Sequence, residues 1–175
     1  MERPLTGEPL AVDLVNTRWH RAGEEYDLLA TLPGLVQWLA ECSIDVQPDE
    51  RMRSALVYTR STLESIFDNQ PGAEERLNSI LARALVVDSI LDGEVRHLPV
   101  FADESWRPAW QAAQDYLRLR GAGPDNIRQC EHPSCVLYFH DTTGRRRWCS
   151  MAGCGNRAKA QRHYSRLRTG IAGRA

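Results

Sequence analysis

The chain has 175 residues, of which 42% are apolar, enough for one buried core and a small additional module. Its first ten residues lack the apolar region of a secretory signal, and no stretch approaches the roughly 18 apolar residues of a membrane span, so we expect a cytoplasmic protein that does not enter membranes. The formal net charge of -1 hides an asymmetry, because residues 1–127 carry -9 and residues 128–175 carry +8. The basic end is suited to a polyanionic partner.

Residues 10–20 (LAVDLVNTRWH) are apolar with polar interruptions and fit two local structures. Leu10, Val12 and Leu14 alternate as in a strand, whereas Leu10, Leu14 and Val15 also fit one face of a helix. Periodicity alone therefore leaves this segment open.

Three consecutive helices are predicted next. Thr31 can cap a helix that extends to about Cys42. A second helix covers residues 49–68, where apolar side chains recur at spacings of four and three. The Pro-Gly pair at 71–72 ends it, and a third helix is predicted over residues 73–91.

A short strand is predicted at residues 95–101, followed by an amphipathic helix over residues 105–120. The sequence Gly-Ala-Gly-Pro at 121–124 then ends the helical part. We therefore predict a mainly α fold, with a helical N-terminal domain over residues 1–123 and a small separate module over residues 124–175.

Four of the five cysteines lie within 25 residues of one another, in the order C-x4-C, thirteen residues, C-x4-C. In a cytosolic chain, paired cysteines indicate a metal site before they indicate disulfides. Four thiolates complete the tetrahedral shell of Zn²⁺. We predict one structural zinc ion, with two disulfides or four unrelated thiols as the alternatives. The predicted ligands are Cys130, Cys135, Cys149 and Cys154.

Between the two cysteine pairs, residues 136–139 and 146–148 are predicted to form a β-hairpin, which makes the module zinc-ribbon-like. Such a ribbon has little core, so the metal must supply much of its stability. His132 and His140 could replace a ligand, but four cysteines already fill the shell. Because a closed shell leaves no position for water or substrate, we do not expect an enzyme.

Arginine dominates the end of the chain, and a helix is predicted from Asn156, whose side chain can cap its first turn. Ala160, Tyr164 and Leu167 would pack back on the hairpin, leaving basic side chains on the other faces. Arginine suits bidentate contact with phosphate and with guanine edges. The predicted nucleic-acid surface consists of Arg145, Arg146, Arg147, Arg157, Lys159, Arg162, Arg166 and Arg168.

Two alternatives remain for this surface. The same basic side chains could bind RNA, with Trp148 or Tyr164 stacking on unpaired bases. The basic face could instead cover the acidic N-terminal domain, which would make the module structural or a protein-interaction surface.

The run CVLYFHDTTGRRRWCSMAGCGNRAKAQRHYSRLR resembles the CGNR zinc-finger family, whose tetrapeptide is Cys154-Gly155-Asn156-Arg157 here. His140 departs from the expected aliphatic residue, but it lies between ligands. The run LAVDLVNT followed by DLLATLPGLVQWL is similar to the ABATE domain that accompanies this finger. Together the two resemblances cover the whole chain.

These resemblances imply a stress-induced transcription regulator whose finger contacts DNA, or alternatively an RNA-binding zinc-ribbon protein. A homodimer through the helical domain is compatible with that function. The N-terminal resemblance also allows a small-ligand or sensing pocket at Asp13, Asn16, Thr17 and Arg18. The alternative for Asp13 and Asn16 is that they satisfy backbone groups at the end of an element.

Overall fold

The computed structural model describes residues 2–123 and 126–172, with side chains as far as Tyr164. About half of the residues are helical, and three two-stranded antiparallel sheets accompany the helices. Within the described ranges no helix has the length and apolar character needed to cross a bilayer. The helices are α1 (Leu10–Val15), α2 (Leu32–Glu41), α3 (Glu50–Phe67), α4 (Ala73–Leu81), α5 (Arg107–Ala122) and α6 (Asn156–Ala172). The strands are β1 (Arg18–Arg21), β2 (Glu24–Asp27), β3 (Ala84–Leu91), β4 (Glu94–Phe101), β5 (Ile127–Gln129) and β6 (Tyr138–His140).

Helices α2, α3 and α5 lie where the apolar spacing predicts them. Thr31 caps α2 by accepting a hydrogen bond from the Gly34 N–H (3.3 Å), and Asp49 caps α3 by accepting one from the Met52 N–H (2.7 Å). Glycine is required at position 34, because a Cβ there would lie 1.7 Å from the carbonyl oxygen of Leu28.

Residues 10–20 contain both of the structures that periodicity left open. They begin as the short helix α1, which packs against α3 and α5, and continue into β1, which pairs with β2. Five of the six side chains of α1 are buried. The Ala11 N–H in its first turn donates to the Asp115 carboxylate of α5 (3.0 Å). This helix therefore forms the centre of the N-terminal core.

The helix predicted over residues 73–91 is wrong in its second half. It ends at Leu81, and residues 84–91 form β3, which pairs with β4. The β-branched residues of this segment fit a strand better than a helix. Asp92 and Gly93 both have positive φ (50° and 80°), which makes the two-residue turn of a hairpin.

The hairpin predicted between the cysteine pairs is also wrong in its pairing. β6 pairs with β5, upstream of the first cysteine, and residues 146–148 form no strand. The Asp141 carboxylate accepts hydrogen bonds from the backbone N–H groups of Thr143 (3.0 Å) and Arg146 (3.0 Å). These bonds curl the chain after β6 into a tight turn, so it cannot run back along β6.

The two predicted parts of the chain share one continuous core, in which Leu137, Tyr138 and Phe139 join the side chains of the helices. Asn16, fully buried after α1, donates to the Tyr138 carbonyl and accepts from the Tyr138 N–H, both at 2.9 Å. The Tyr138 hydroxyl donates to Asp68 at the end of α3 (3.0 Å). These contacts pack the finger against the helices. The division into two domains at residue 123 stays a prediction.

Candidate metal centre and nucleic-acid interface

Four thiols meet at the base of the C-terminal helix. The Sγ atoms of Cys130, Cys135, Cys149 and Cys154 all lie within 4.8 Å of one another. Cys135 and Cys149 are 3.8 Å apart, and Cys149 and Cys154 are 3.5 Å apart. A tetrahedron with Zn–S bonds of about 2.3 Å has edges of about 3.8 Å, so the four thiols fit zinc. None of them is in a disulfide.

Local turns aim these thiols at a common point. The Cys130 N–H donates to the Leu137 carbonyl (2.9 Å), which folds the first cysteine pair under β6. Residues 151–155 form a short π-helical turn that Ser150 caps by accepting from the Gly153 N–H (3.0 Å). Cys154 lies in this turn, directly before α6. The start of α6 is therefore fixed at the metal site.

Mutual contacts couple the pKa values of three of these thiols. A hydrogen bond from Cys149 lowers the pKa of Cys135 to about 5. The reciprocal contact raises the pKa of Cys149 far above the ordinary thiol value, and burial raises the pKa of Cys154 to about 11. One thiolate thus opposes the ionisation of its neighbours. A divalent ion removes this opposition, because it neutralises the developing charge.

Neither histidine of the segment joins the cluster. Within residues 2–123 and 126–164, the metal-ligating atoms that converge here are the four thiols. The Nδ1 atom of His132 lies 3.1 Å from the Ser134 hydroxyl. The backbone N–H of His140 donates to Glu8 (2.9 Å), and its buried Nε2 has no hydrogen-bond partner among the described residues. The geometry favours a shell made of cysteine alone.

Arg146 differs from its two neighbours in the arginine run. Its guanidinium donates to the backbone carbonyls of Trp148 (3.1 Å) and Cys149, pairs with Glu8 (2.9 Å), and lies 4.4 Å over the ring of Phe139. These contacts wrap the chain around a metal ligand and join the finger to the N-terminal part. These contacts give Arg146 a structural role beside the metal ligand Cys149, and the phosphate contact that the arginine run predicts for it stays a prediction.

The other basic side chains of the finger are more exposed, and they differ in the internal contacts that they make. Arg147 pairs with Glu131 (2.6 Å) but remains 59% exposed, and its guanidinium lies 5.3 Å from the Trp148 ring. Arg157 donates to the Cys154 sulfur (2.9 Å), which raises the pKa of that guanidinium. The exposed cations of the finger are Arg145, Arg147, Arg157, Lys159 and Arg162. The side chains of Arg166 and Arg168 lie outside the described residues.

Helix α6 stands away from the body along its described side chains. Ala158 is buried, whereas Asn156, Arg157 and residues 159–164 are exposed. Ala160 and Tyr164 are exposed, so the prediction that they pack back on the hairpin is wrong, and the side chain of Leu167, the third residue of that prediction, lies outside the described residues. Asn156 donates to the Ala152 carbonyl (3.4 Å) instead of capping the helix, because the π-helical turn already continues into α6.

The predicted ligand-pocket residues make internal contacts. The Asp13 carboxylate accepts from Arg3 (2.8 Å) and the Trp38 indole (3.0 Å), and the Asn16 amide binds the backbone of Tyr138, as the alternative for Asn16 proposed. Thr17 accepts from Arg60 (3.0 Å) and donates to the carbonyl of Leu14 (2.7 Å). All three polar residues are buried. They do not form an open pocket.

Arg18, the fourth residue of that set, is exposed enough to line a cleft. It pairs with Glu64 (2.8 Å), and both residues border a space of about 310 Å³ together with Asp68 and Tyr138. Burial raises the pKa of Glu64, although Arg18 opposes this effect. Cys42, the cysteine outside the cluster, directly follows α2 and is half-buried, with its Sγ 3.7 Å from the Asp13 carboxylate. Burial raises the pKa of its thiol to about 12.

Two structurally important acids, Asp141 and Glu8, are missed by sequence reasoning. Burial opposes the ionisation of Asp141, but hydrogen bonds from the backbone and hydroxyl of Thr143 and from the Arg146 N–H hold its pKa at about 2. The Asp-Thr-Thr-Gly sequence carries a turn signal that could have indicated this role. No local signal links Glu8 to Arg146, 138 positions later.

Two family profiles match the chain. Residues 126–167 match the CGNR zinc finger, and residues 8–123 match the ABATE family, described as "Putative stress-induced transcription regulator". No curated protein matches the chain. The four clustered thiols lie within the first match, so the chain carries a zinc finger with one zinc ion. Since the second match covers about two thirds of the 175 residues, this chain belongs to the ABATE family.

Proposed function

We propose that the chain binds nucleic acid, with duplex DNA as the favoured target, through the exposed cations of its zinc finger. The observation that carries this proposal is the start of α6, where a helix fixed at Cys154 by the metal site carries Arg157, Lys159 and Arg162 into solvent. A rigid helix that presents cations is suited to contact with phosphates.

The finger retains positive charge after its internal pairs are counted. Glu131 and Asp141, its two acids, pair with Arg147 and Arg128. Zinc with four thiolates carries a charge of -2, which Arg157 at the Cys154 sulfur partly offsets. The side chains of Arg145, Lys159 and Arg162 have no acidic partner among the described residues. Their charge is therefore available to an external polyanion.

Docking of the basic face on the acidic domain receives little support. In the part of the chain with described side chains, one ion pair joins the two regions, Arg146 with Glu8. The exposed cations of α6 are not involved in it. Because the thiol shell is closed, we also propose that the zinc is structural and that the chain is not an enzyme.

The proposal is tested by fluorescence anisotropy of zinc-loaded full-length protein with duplex DNA, unpaired RNA and hairpin RNA over a salt series. If about five phosphates are contacted, the logarithm of the affinity for duplex DNA falls with the logarithm of salt at a slope of about -4 to -5. A slope near zero would reject the proposal.

A charge-matched pair of variants locates the contact. Lys159→Ala with Arg162→Ala removes two exposed cations of α6 and is expected to reduce the salt slope by about two. Arg21→Ala with Arg120→Ala removes two exposed cations of the N-terminal part and should leave both affinity and slope unchanged. Equal losses in the two variants would place the binding surface elsewhere.

A cleft beside α6 supports unpaired RNA as the second candidate. It encloses about 490 Å³ between the first cysteine pair and the helix, and Trp148, Arg147 and Arg162 border it. A cleft lined by an aromatic ring and two guanidinium groups suits a splayed base. Tighter binding of unpaired RNA than of duplex DNA, weakened by Trp148→Leu, would favour this candidate.

A further inference from the structure

The hairpin of β3 and β4 leaves more apolar surface in water than any other part of the chain with described side chains. Its eight paired positions run from Ala84–Phe101 to Leu91–Glu94. An isolated two-stranded sheet is marginally stable in water and normally needs a further layer or strand. This hairpin belongs neither to the metal site nor to the basic surface.

The two faces of the hairpin differ in what they meet. In an antiparallel pair, directly opposed residues share a face. One face has Ala84, Pro99 and Phe101 at its base, all half-buried, and Phe101 packs edge-on against Trp110 of α5 (5.6 Å). At its base that face meets the body of the molecule, whereas nearer the tip its apolar side chains, such as Ile90 (76%), are exposed.

The opposite face is turned away from the body, and we call it the outer face. Leu85 opposes Val100, and Val87 opposes Leu98, so four apolar side chains form one contiguous patch that Leu91 extends toward the tip. Their exposed fractions range from 44% for Leu98 to 74% for Leu85. A contiguous apolar patch of this extent often marks a surface that binds a partner.

We propose that the outer face of this hairpin packs against the same face of a second copy of the chain, forming a twofold dimer. At these exposed fractions the five apolar side chains leave on the order of 500 Å² in water. Because interfaces are about 60% apolar, such a patch corresponds to roughly 800 Å² per partner, the size of a standard specific interface.

The charges of the outer face favour a second copy over a charged partner. Glu94 and Arg96 are its two charged residues, and they pair with each other (3.4 Å). The face is therefore neutral, with an apolar base and one charge of each sign near the tip. A twofold contact requires a surface that is complementary to itself, and a neutral face of this kind meets that requirement.

The free edge of β4 is poorly suited to pairing with another strand. Pro99 in β4 has no N–H to offer to another strand, and prolines at sheet edges oppose edge-to-edge pairing. In a dimer formed through the outer face, Pro99 lies on the opposite face of the hairpin and outside the interface. The hairpin lies within residues 1–123, the N-terminal domain through which a homodimer was expected, and its contact does not depend on nucleic-acid binding.

The test is sedimentation velocity of zinc-loaded full-length protein between about 1 and 100 µM, where a specific dimer of this size is measurable. The wild-type chain is expected to approach twice the monomer mass of 19.8 kDa. A chain that stays monomeric throughout this range, or that forms open-ended assemblies, overturns the proposal.

Two variants matched in strand, exposure and charge identify the face. Leu85→Glu, at a position 74% exposed on the outer face, should raise the dimer dissociation constant at least about 100-fold. Ile90→Glu, at a position 76% exposed on the other face, should change it less than about threefold. Equal weakening by both variants, or weakening by Ile90→Glu alone, overturns the assignment. Thermal unfolding of each variant checks that both remain folded.

Discussion

The N-terminal helices and the zinc finger differ in what they bury. Around α1 the core consists of large apolar side chains such as Trp38, Leu56 and Leu63, each with no exposed surface. The finger buries three thiols, the short segment Leu137–Phe139 and few other apolar side chains, and hydrogen-bonded turns such as the one at Asp141 connect them. Where the first region depends on apolar area, the second depends on a metal ion.

This difference separates the positions that tolerate change from those that do not. In the helical region many side chains contribute to the buried apolar area, so truncation of one lowers the free energy of unfolding only in part. In the finger one coordination shell holds two cysteine pairs, the π-helical turn and the start of α6 together. The loss of one ligand should therefore affect the whole finger.

The largest expected effect follows from removal of a zinc ligand. Cys154→Ser should abolish zinc retention and unfold residues 126–164, because structural zinc contributes on the order of 10 kcal/mol of apparent binding free energy in small modules. Hydrogen exchange read by mass spectrometry should show the loss of protection in this range.

Cys42→Ser is the matched control, because it removes a thiol outside the cluster. It should keep one zinc per chain and normal exchange in the finger. Full protection of residues 126–164 in Cys154→Ser would contradict the contrast between the two regions.

The second-largest effect is expected from a substitution that creates a cavity in the helical core. Leu63→Ala should lower the free energy of unfolding by about 3 kcal/mol, since Leu63 is fully buried in α3. Urea unfolding followed by far-UV circular dichroism measures the loss. Val36→Ala, at a position 49% exposed on α2, should cost well under about 1 kcal/mol. Similar costs at both positions would show that the apolar core does not dominate this region.

Loss of the hydrogen bonds between Asn16 and Tyr138, which join the two regions, is expected to have a smaller effect on stability. Asn16→Ala leaves the N–H and the carbonyl of Tyr138 without their partners in a buried site, at a cost of about 2 kcal/mol. Faster exchange of the Tyr138 amide, with zinc still bound, is the expected signature. Loss of zinc together with this contact would contradict the expectation that the thiol shell, and not the Tyr138 contact, holds the metal site.

An ion pair of the helical region gives the smallest effect and a pH dependence. Burial opposes the ionisation of Asp27, but its bidentate contact with Arg60 (2.6 Å for both bonds) lowers its pKa below the usual range. The pair therefore adds stability above the unfolded-state value of about 3.9, and this stability is lost as the pH falls through the lower folded value.

Asp27→Asn should cost about 1.5 kcal/mol at neutral pH, because a charge-assisted bidentate contact is replaced by a weaker one. The difference from wild type in urea unfolding should shrink below about pH 4. Glu24→Gln, at an exposed neighbouring acid, is the control and should show no such trend. A difference that stays constant down to pH 3 would exclude this origin.

Local patterns predicted the metal ligands and most helices but not the contacts between distant segments. The cysteine spacing indicated the site, because a tetrahedral shell depends on residue type and short loops. The β3 strand was missed although Val86, Val87 and the Asp92-Gly93 turn signalled it, since an apolar run also fits a helix. Arg146 could not be separated from Arg145 and Arg147, because its role depends on Glu8 at the other end of the chain.

The most direct test of the account is zinc K-edge X-ray absorption on full-length protein purified without chelator, together with elemental analysis. We expect one zinc per chain with four sulfur neighbours at about 2.3 Å. A shell that contains nitrogen or oxygen, or a metal-free chain whose finger keeps its amide protection, would contradict a finger held by Cys130, Cys135, Cys149 and Cys154.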